Sequence, residues 1–453
     1  MIRRLRIRNF KSLRDSGDLK IRPLTFLIGP NSGGKSSVLQ CLRLLRQTAD
    51  SRDITNPLLI NGPYVQLGSY RELIFGQDCH NNLHFEFAFE PQEPFYLPDY
   101  RVGKAGLITV VPQRGSMITF ACEFGYTVKT MQISLVSMVF SVQPAGMEMR
   151  VKRTVGGKHK ADFHWNHEHA DLPVAGIHKF YGASGPLSFR VQASMTREAA
   201  AKQLLPSIIA REASDQIEKL FGGIFYIGPL REWPKRVYVA TGGAPQDVGL
   251  KGELFVDVLW IQSRRKRERE RLLGAVNRWV GEFGFATQVT LKRLGGNNYS
   301  LTLADPQTRL NVNVADIGFG ASQVLPIIVE GFYAPRRSML LIEQPEIHLH
   351  PRAQATLADL LIEIAKSGKA LLVETHSEHL LSRVQRRVAD GSISNTDVAI
   401  YYCRPTPEGT DVREIRLDEL GQFETEGLPE GFFEEGYLES IEHFKAMADR
   451  SKG

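Results

Sequence analysis

At 453 residues the chain is long for one compact core, so two or three structural units are expected. Hydrophobic and charged fractions of 42% and 23% are ordinary for a soluble globular protein, and no apolar run is long enough to span a bilayer. Cys41, Cys79, Cys122 and Cys403 are scattered without a C-x-x-C pair, against a disulfide framework or cysteine zinc site, and a net charge of +6 permits an anionic partner without demanding one.

The basic start, Met1 to Ile7, has no apolar segment behind it, and a cytoplasmic location is expected. Residues 2 to 10 set Ile2, Leu5, Ile7 and Phe10 against basic positions, the pattern of a half-buried strand. Leu19-Lys20-Ile21 continues as a second strand, and the apolar run Leu24 to Ile28 predicts a buried third. Next comes Gly29, Pro30, Asn31, Ser32, Gly33, Gly34, Lys35, Ser36 and Ser37, which fits G-x-x-x-x-G-K-[ST]. From Ser37 to Leu45 apolar residues recur at helical spacing. A glycine-rich turn between strand and helix aims backbone N–H groups inward at the positive end of the helix dipole, which makes a phosphate cradle. Lys35 then reaches the β- and γ-phosphates, and the Ser36 hydroxyl is a ligand of the Mg²⁺ that bridges them. The chain is expected to bind ATP with Mg²⁺; no guanine-reading Asn-Lys-x-Asp follows.

The first strand ends in Asn9-Phe10-Lys11-Ser12 a short distance before this loop, and the pair resembles the start of ATPases of the SMC, RecF and OLD type, the ABC-like heads of DNA repair and phage-defence machines. The resemblance implies an α/β fold: an ABC-type P-loop ATPase head with a mixed or antiparallel β lobe, a parallel-sheet core and, here, a β-rich and helical insertion. Residues 1–75 are the expected N-terminal half of the head. The turn-rich segment Gly62 to Ser69 is similar to the one that carries the Q-loop, and Gln66 is its available glutamine.

Residues 76–224 read as the insertion. From about Asn82 to Val151 short β-type segments alternate with turns and predict an antiparallel sheet. Residues 155–187 are polar and glycine-rich. His164, His167 and His169 offer zinc-ligating imidazoles there, yet without a helix to align them or a second cluster a solvated loop is expected. Thr196 to Leu220 has helical character interrupted by Pro206.

Residues 225–420 are the expected C-terminal half of the head and 421–453 a tail segment. Phe225 to Arg231 predicts a strand and turn, with Arg231, Lys235 and Arg236 as candidate phosphate or nucleic-acid contacts or else a solvated basic edge. Leu254 to Phe283 reads as one long helix whose Arg264, Arg265 and Arg267 offer a DNA or partner surface, while Glu268 and Glu270 allow the run to pair with itself. Val289 to Leu303, with Gly295 and Gly296 at its centre, predicts a hairpin.

Ser338 to Glu346 is an apolar strand running into a carboxylate, which places Glu343 beside the nucleotide as the Walker B acid, holding Mg²⁺ directly or through water. Ahead of it, Asp316 to Gln323 resembles the ABC signature, with Gly318, Gly320, Ser322 and Gln323 before a helix. In ABC-like heads that turn meets the γ-phosphate of the other subunit, so the resemblance implies a homodimer with Ser322 acting in trans. Thr375-His376-Ser377, after the apolar strand Ala370 to Glu374, looks like the switch that senses the γ-phosphate, and Ile347 to His350 occupies the D-loop position. Where the family usually has the glutamate that polarises the attacking water, this chain has Gln344. An amide orients water without accepting its proton, so the glutamine is either an engineered trap that stabilises the ATP-bound dimer or the mark of slow native hydrolysis that leans on Glu346 or His376.

After Ser377 there is no Asp-x-Asp, so no Toprim nuclease is expected in this chain. The resemblance then implies an ATP-gated dimeric switch in phage defence that works on a separately encoded effector. The alternative is a RecF-like ATPase acting directly on DNA. An ABC transporter subunit fits least well, since such subunits carry no β-rich insertion of this size.

Overall fold

The structure is a computed structural model. It describes residues 1–424, apart from 185–210 and short breaks at 54–55, 92–94, 100–105, 112–114, 144–145, 155–156, 166–167, 175, 179–181 and 241. Most of the expected tail, from 425 onward, and the first part of the expected helix, 196–210, lie outside the described residues.

The site is carried by a six-stranded sheet in the order Ile224–Ile227, Met339–Glu343, Ala370–Glu374, Leu24–Ile28, Val398–Thr406, Gly409–Ile415. All neighbours run parallel except the last, an antiparallel hairpin partner at the edge. Leu24–Ile28, Met339–Glu343 and Ala370–Glu374 are buried along their whole length, which explains why they read as continuous apolar runs rather than alternating ones. Because side chains alternate across a sheet, each strand feeds two cores. Leu27, Leu341 and Leu372 pack with the phosphate-loop helix Lys35–Asp50. Phe26, Ile342 and Val373 pack instead with helices Phe255–Ser263, Lys266–Glu282, Phe319–Tyr333, Pro351–Lys366 and Glu378–Ala389.

The expected antiparallel sheet is present and larger than the sequence suggests. Its order is Glu168–Val174, His159–Trp165, Met147–Arg153, Gln132–Gln143, Met117–Thr127, Leu83–Phe89, Ile2–Phe10, Leu13–Asp15, with Leu19–Lys20 also paired to Ile2–Phe10. Strand Leu83–Phe89 thus lies directly on the N-terminal strand, Leu5 opposite Phe87, and the sheet runs across the expected boundary at residue 75. Phe10, Phe85, Phe87, Phe120, Phe124 and Phe140 fill its inner face and share a core with the phosphate-loop helix.

Two local expectations are corrected. Residues His159–Trp165 and Glu168–Val174 form a β-hairpin with His164 opposite His169, not a loop. The composition of that stretch is loop-like, but His159–Trp165 is paired on both sides and Glu168–Val174 closes the edge of the sheet. No group of three or more metal-ligating side chains occurs among the described residues. The single long helix over Leu254 to Phe283 is two, Phe255–Ser263 and Lys266–Glu282, broken where Arg265 takes an extended backbone at φ −104°, ψ 116°. Four consecutive cations repel one another within one helix, and the bend lets Leu259 and Trp279 enter the same core.

Candidate nucleotide-binding site

Gly29 to Lys35 links the carboxyl end of Leu24–Ile28 to the amino end of Lys35–Asp50, as its spacing predicts. Its glycines are dictated by what packs behind the turn. Gly29 has φ 132°, and a Cβ there would stand 2.3 Å from the carbonyl oxygen of Cys403. Gly34 has φ 87°, and its Cβ would stand 2.2 Å from Thr410 Oγ1. Both obstructions come from the edge hairpin, so the loop lies flat against it. Lys35 is 3% exposed and donates to the carbonyls of Gly29, at 2.9 Å, and Pro30, at 2.7 Å. Burial holds the lysine pKa below its ordinary value.

A cleft of about 440 Å³ opens over the loop, lined by Asn31 to Ser37 together with Lys11, Ser12, Gln40, Gln344, Glu374 and His376. The Asn9 to Ser12 turn is seated by hydrogen bonds from Thr410 N to Ser12 O, 2.7 Å, and from Thr410 Oγ1 to Ser12 Oγ, 2.9 Å. Asn9 and Lys11 adopt positive φ there, at 57° and 53°.

Carboxylates stand at the ends of two strands, Glu343 and Glu374, and in the turn after the first, Glu346. Glu343 and Glu374 are register partners at the last position of adjacent parallel strands. Glu374 accepts the Ser36 hydroxyl at 3.1 Å, and its second oxygen is buried without a partner. Glu343 pairs with Arg43 of the phosphate-loop helix at 3.2 Å. Glu346 accepts the His376 backbone N–H at 2.7 Å, and its other oxygen is also buried and unpartnered. Burial is the first cause that raises the pKa of all three, with Glu343 adding to the shift at Glu374. Orphaned oxygens on crowded, desolvated carboxylates beside a serine hydroxyl and a phosphate cradle fit a hard divalent cation, so Ser36 with Glu374 or Glu343 would hold Mg²⁺. When bound, that ion neutralises phosphate charge and orients the terminal phosphoryl group.

Gln344 lines the cleft in a left-handed conformation, φ 43°, fixed by its N–H to Glu374 O at 2.7 Å. His376 lines the opposite part, and burial, followed by Lys35, lowers its pKa, which favours the neutral imidazole. His350 serves the backbone instead, since its Nδ1 accepts Arg352 N–H at 3.3 Å and caps the following helix.

Other expected contacts fall elsewhere. Gln66 is exposed on a turn bridged to Asn61 and is not among the cleft residues. Arg231 is 4% exposed and cannot meet DNA, because its guanidinium donates to the carbonyls of Pro229, Glu343 and Gln344 and so clamps the turn after the Walker B strand. Burial lowers its pKa to about 10. Arg236 pairs with Asp316 of the signature turn at 2.8 Å, and Lys235 with Glu232 at 3.1 Å. Arg264, Arg265 and Arg267 are exposed, while Arg271 pairs with Glu268 at 2.8 Å, the i,i+3 contact the spacing allows.

The signature turn starts the helix Phe319–Tyr333 with Gly318 at its N-cap. Ser322 is 3% exposed and its hydroxyl donates to Phe319 O at 2.7 Å, so it faces its own helix rather than a partner. Gln323 is buried as well. The accessible parts of the turn are Asp316 and Gly318 and, partly, Ile317, Phe319 and Gly320.

The sequence of this domain agrees with that architecture. Residues 1–101 and 273–381 match the AAA ATPase domain family. The fold combines an antiparallel lobe with a mainly parallel sheet that carries the glycine turn. No curated relative matches the chain in sequence. Among solved structures it is similar to an Smc head bound to the C-winged helix domain of ScpA, at 12% identity and TM-score 0.41, covering 92% of this chain and 98% of that one. It is also similar to the SMC head domain from Thermotoga maritima, at 11% identity and TM-score 0.39, covering 92% and 99%. A Pyrococcus furiosus Smc head with an extended coiled coil, bound to the C-terminal domain of ScpA, gives 10% identity and TM-score 0.37, covering 92% and 96%.

Sequence reasoning passed over Arg43, Lys11 and Glu374. Glu374 left a legible trace, because Ala370–Glu374 ends an apolar strand in a carboxylate just as Met339–Glu343 does. Arg43 left none, being one polar position on an amphipathic helix.

Proposed function

We propose that this ATPase domain binds ATP with Mg²⁺, hydrolyses it slowly, and closes in pairs on two nucleotides, as a switch that holds or releases a separately encoded protein effector in anti-phage defence. The observation that carries the nucleotide reading is the glycine turn pressed onto Cys403 and Thr410 with Lys35 and the strand-end carboxylates around it. Closure in pairs is supported by the exposed turn at Gly318 and by Trp233, which is 71% exposed and packs against Phe319 with ring centroids 4.4 Å apart. An apolar ring at such a position suits a protein surface more than water. The defence role rests on the OLD-like order of motifs, and an adjacent nuclease or toxin gene would support it. Calorimetric titration of ATP into wild type and Lys35→Ala tests the nucleotide reading: binding by the first and none by the second is expected, and equal binding would sink it.

A second reading is an ATPase acting directly on DNA through the exposed Arg264, Arg265 and Arg267.

A further inference from the structure

Building on the ATP-binding reading above, we propose that Glu374, rather than Glu343, is the carboxylate that holds Mg²⁺ beside the phosphates, because Ser36 is hydrogen-bonded to Glu374 while Glu343 is engaged by Arg43.

The argument is geometric. In a phosphate-loop site Mg²⁺ takes few protein groups, and the serine after the lysine is one of them. Octahedral ligands lie about 2.1 Å from the ion, so two neighbouring ligands stand about 3.0 Å apart. Ser36 Oγ and Glu374 Oε1 are 3.1 Å apart, already at the separation of two such ligands. The other Glu374 oxygen is buried and unpartnered, in a side chain that lines the nucleotide cleft and belongs to a residue only 4% exposed. That oxygen is left with no donor.

Glu343 differs in each respect. It is absent from the lining of the nucleotide cleft, and Arg43 Nη1 meets its carboxylate at 3.2 Å. Arg43 is itself fixed on three sides: its Nε donates to Tyr64 O at 2.9 Å, its guanidinium lies 3.8 Å over the Tyr226 ring, and Glu343 takes the remaining edge. An ion bound to Glu343 would face that guanidinium. The chain thus divides the labour, Glu343 anchoring the phosphate-loop helix to the sheet and Glu374 facing the phosphates.

The test measures how much Mg²⁺ strengthens ATP binding, by titration of ATP with EDTA and with saturating Mg²⁺ into wild type, Glu374→Gln, Glu374→Asp and Glu343→Gln. By linkage the gain in ATP affinity equals the gain in Mg²⁺ affinity. Glu374→Gln should bind metal-free ATP at least as well as wild type, since a negative charge beside the phosphates is gone, and should cut the Mg²⁺ gain by at least about tenfold. Glu374→Asp, which keeps the charge but withdraws it, should fall between. Glu343→Gln should leave the gain within about threefold, below the loss expected of a metal partner. An undiminished gain in Glu374→Gln, or an equal loss in Glu343→Gln, overturns the assignment while leaving ATP binding standing. Wild type that binds no ATP in either condition overturns the nucleotide reading and this inference with it.

Discussion

Arg43 and Glu343, 300 residues apart in sequence, form an ion pair of 3.2 Å that ties the phosphate-loop helix to the end of the Walker B strand. Their side chains are only 15% and 12% exposed, so each charge depends on the other for what water no longer supplies. Removing one partner of such a pair costs about 3–5 kcal/mol, whereas replacing both by uncharged groups costs much less. Arg43→Leu is therefore expected to lower stability to chemical denaturation by roughly that amount, and Arg43→Leu combined with Glu343→Gln to recover most of it. Equal losses in the single and double variants would show that the pair is not what matters there.

The signature turn calls for a different substitution from the one its sequence suggests. Ser322→Arg puts a charge into a core position and should unfold the helix start. At Gly318 an added Cβ meets nothing within 4 Å, and φ is an ordinary −50°. Gly318→Arg should keep the melting temperature and ATP affinity of wild type while blocking ATP-dependent pairing. Light scattering with ATP checks this, and unchanged pairing by the variant would exclude the turn from the interface.

Gln344 lines the cleft where a proton acceptor is wanted. General-base catalysis contributes about 10²- to 10⁴-fold, so Gln344→Glu should raise single-turnover hydrolysis by at least about tenfold. Equal rates in the two forms would direct attention to His376, a cleft residue whose imidazole can take a proton.

If Arg264, Arg265 and Arg267 meet DNA, reversing their charges should weaken binding and flatten its salt dependence by a log–log slope of about 0.9 for each phosphate no longer neutralised. Binding indifferent to reversal, or absent at low salt, leaves that helix start as a solvated surface braced by the ion pair of Arg271 with Glu268.

Glu330 is fully buried in the middle of the signature helix, accepts Val248 N–H at 2.8 Å with one oxygen and has no partner for the other. Burial raises its pKa from 4.5 to about 8. Between those values the folded state holds a proton that the unfolded chain has released, so stability is greatest at the acid end of this window and falls as pH rises toward 8. The slope is about 1.4 kcal/mol per pH unit from this group. Nearby Lys369, lowered to about 8, acts above the window. The melting temperature should thus drop between pH 5 and 8 in wild type, and Glu330→Gln should make that drop shallower, leaving the part due to the raised carboxylates Glu343, Glu346 and Glu374. A variant with the same pH dependence would return the effect to other groups.

The contiguous parts of the site were readable from the order of residues alone. The Gly29 to Ser37 turn, the strand ending in Glu343 and the strand preceding His376 were legible because strand, turn and helix signals are set by neighbours in the chain, and fully buried strands announce themselves as apolar runs. Charge roles were not legible. Arg231 and Arg264 are alike as letters, yet one is sealed under the Walker B turn and the other is in solvent. Ser322 reads as an exposed hydroxyl and is folded against its own helix. Glu374 and Glu343 end equivalent strands, and only the packing of Arg43 against one and Ser36 against the other tells them apart. A side chain's local propensity survives folding, but its electrostatic role depends on which distant group meets it once water is excluded, and that is settled by tertiary contacts.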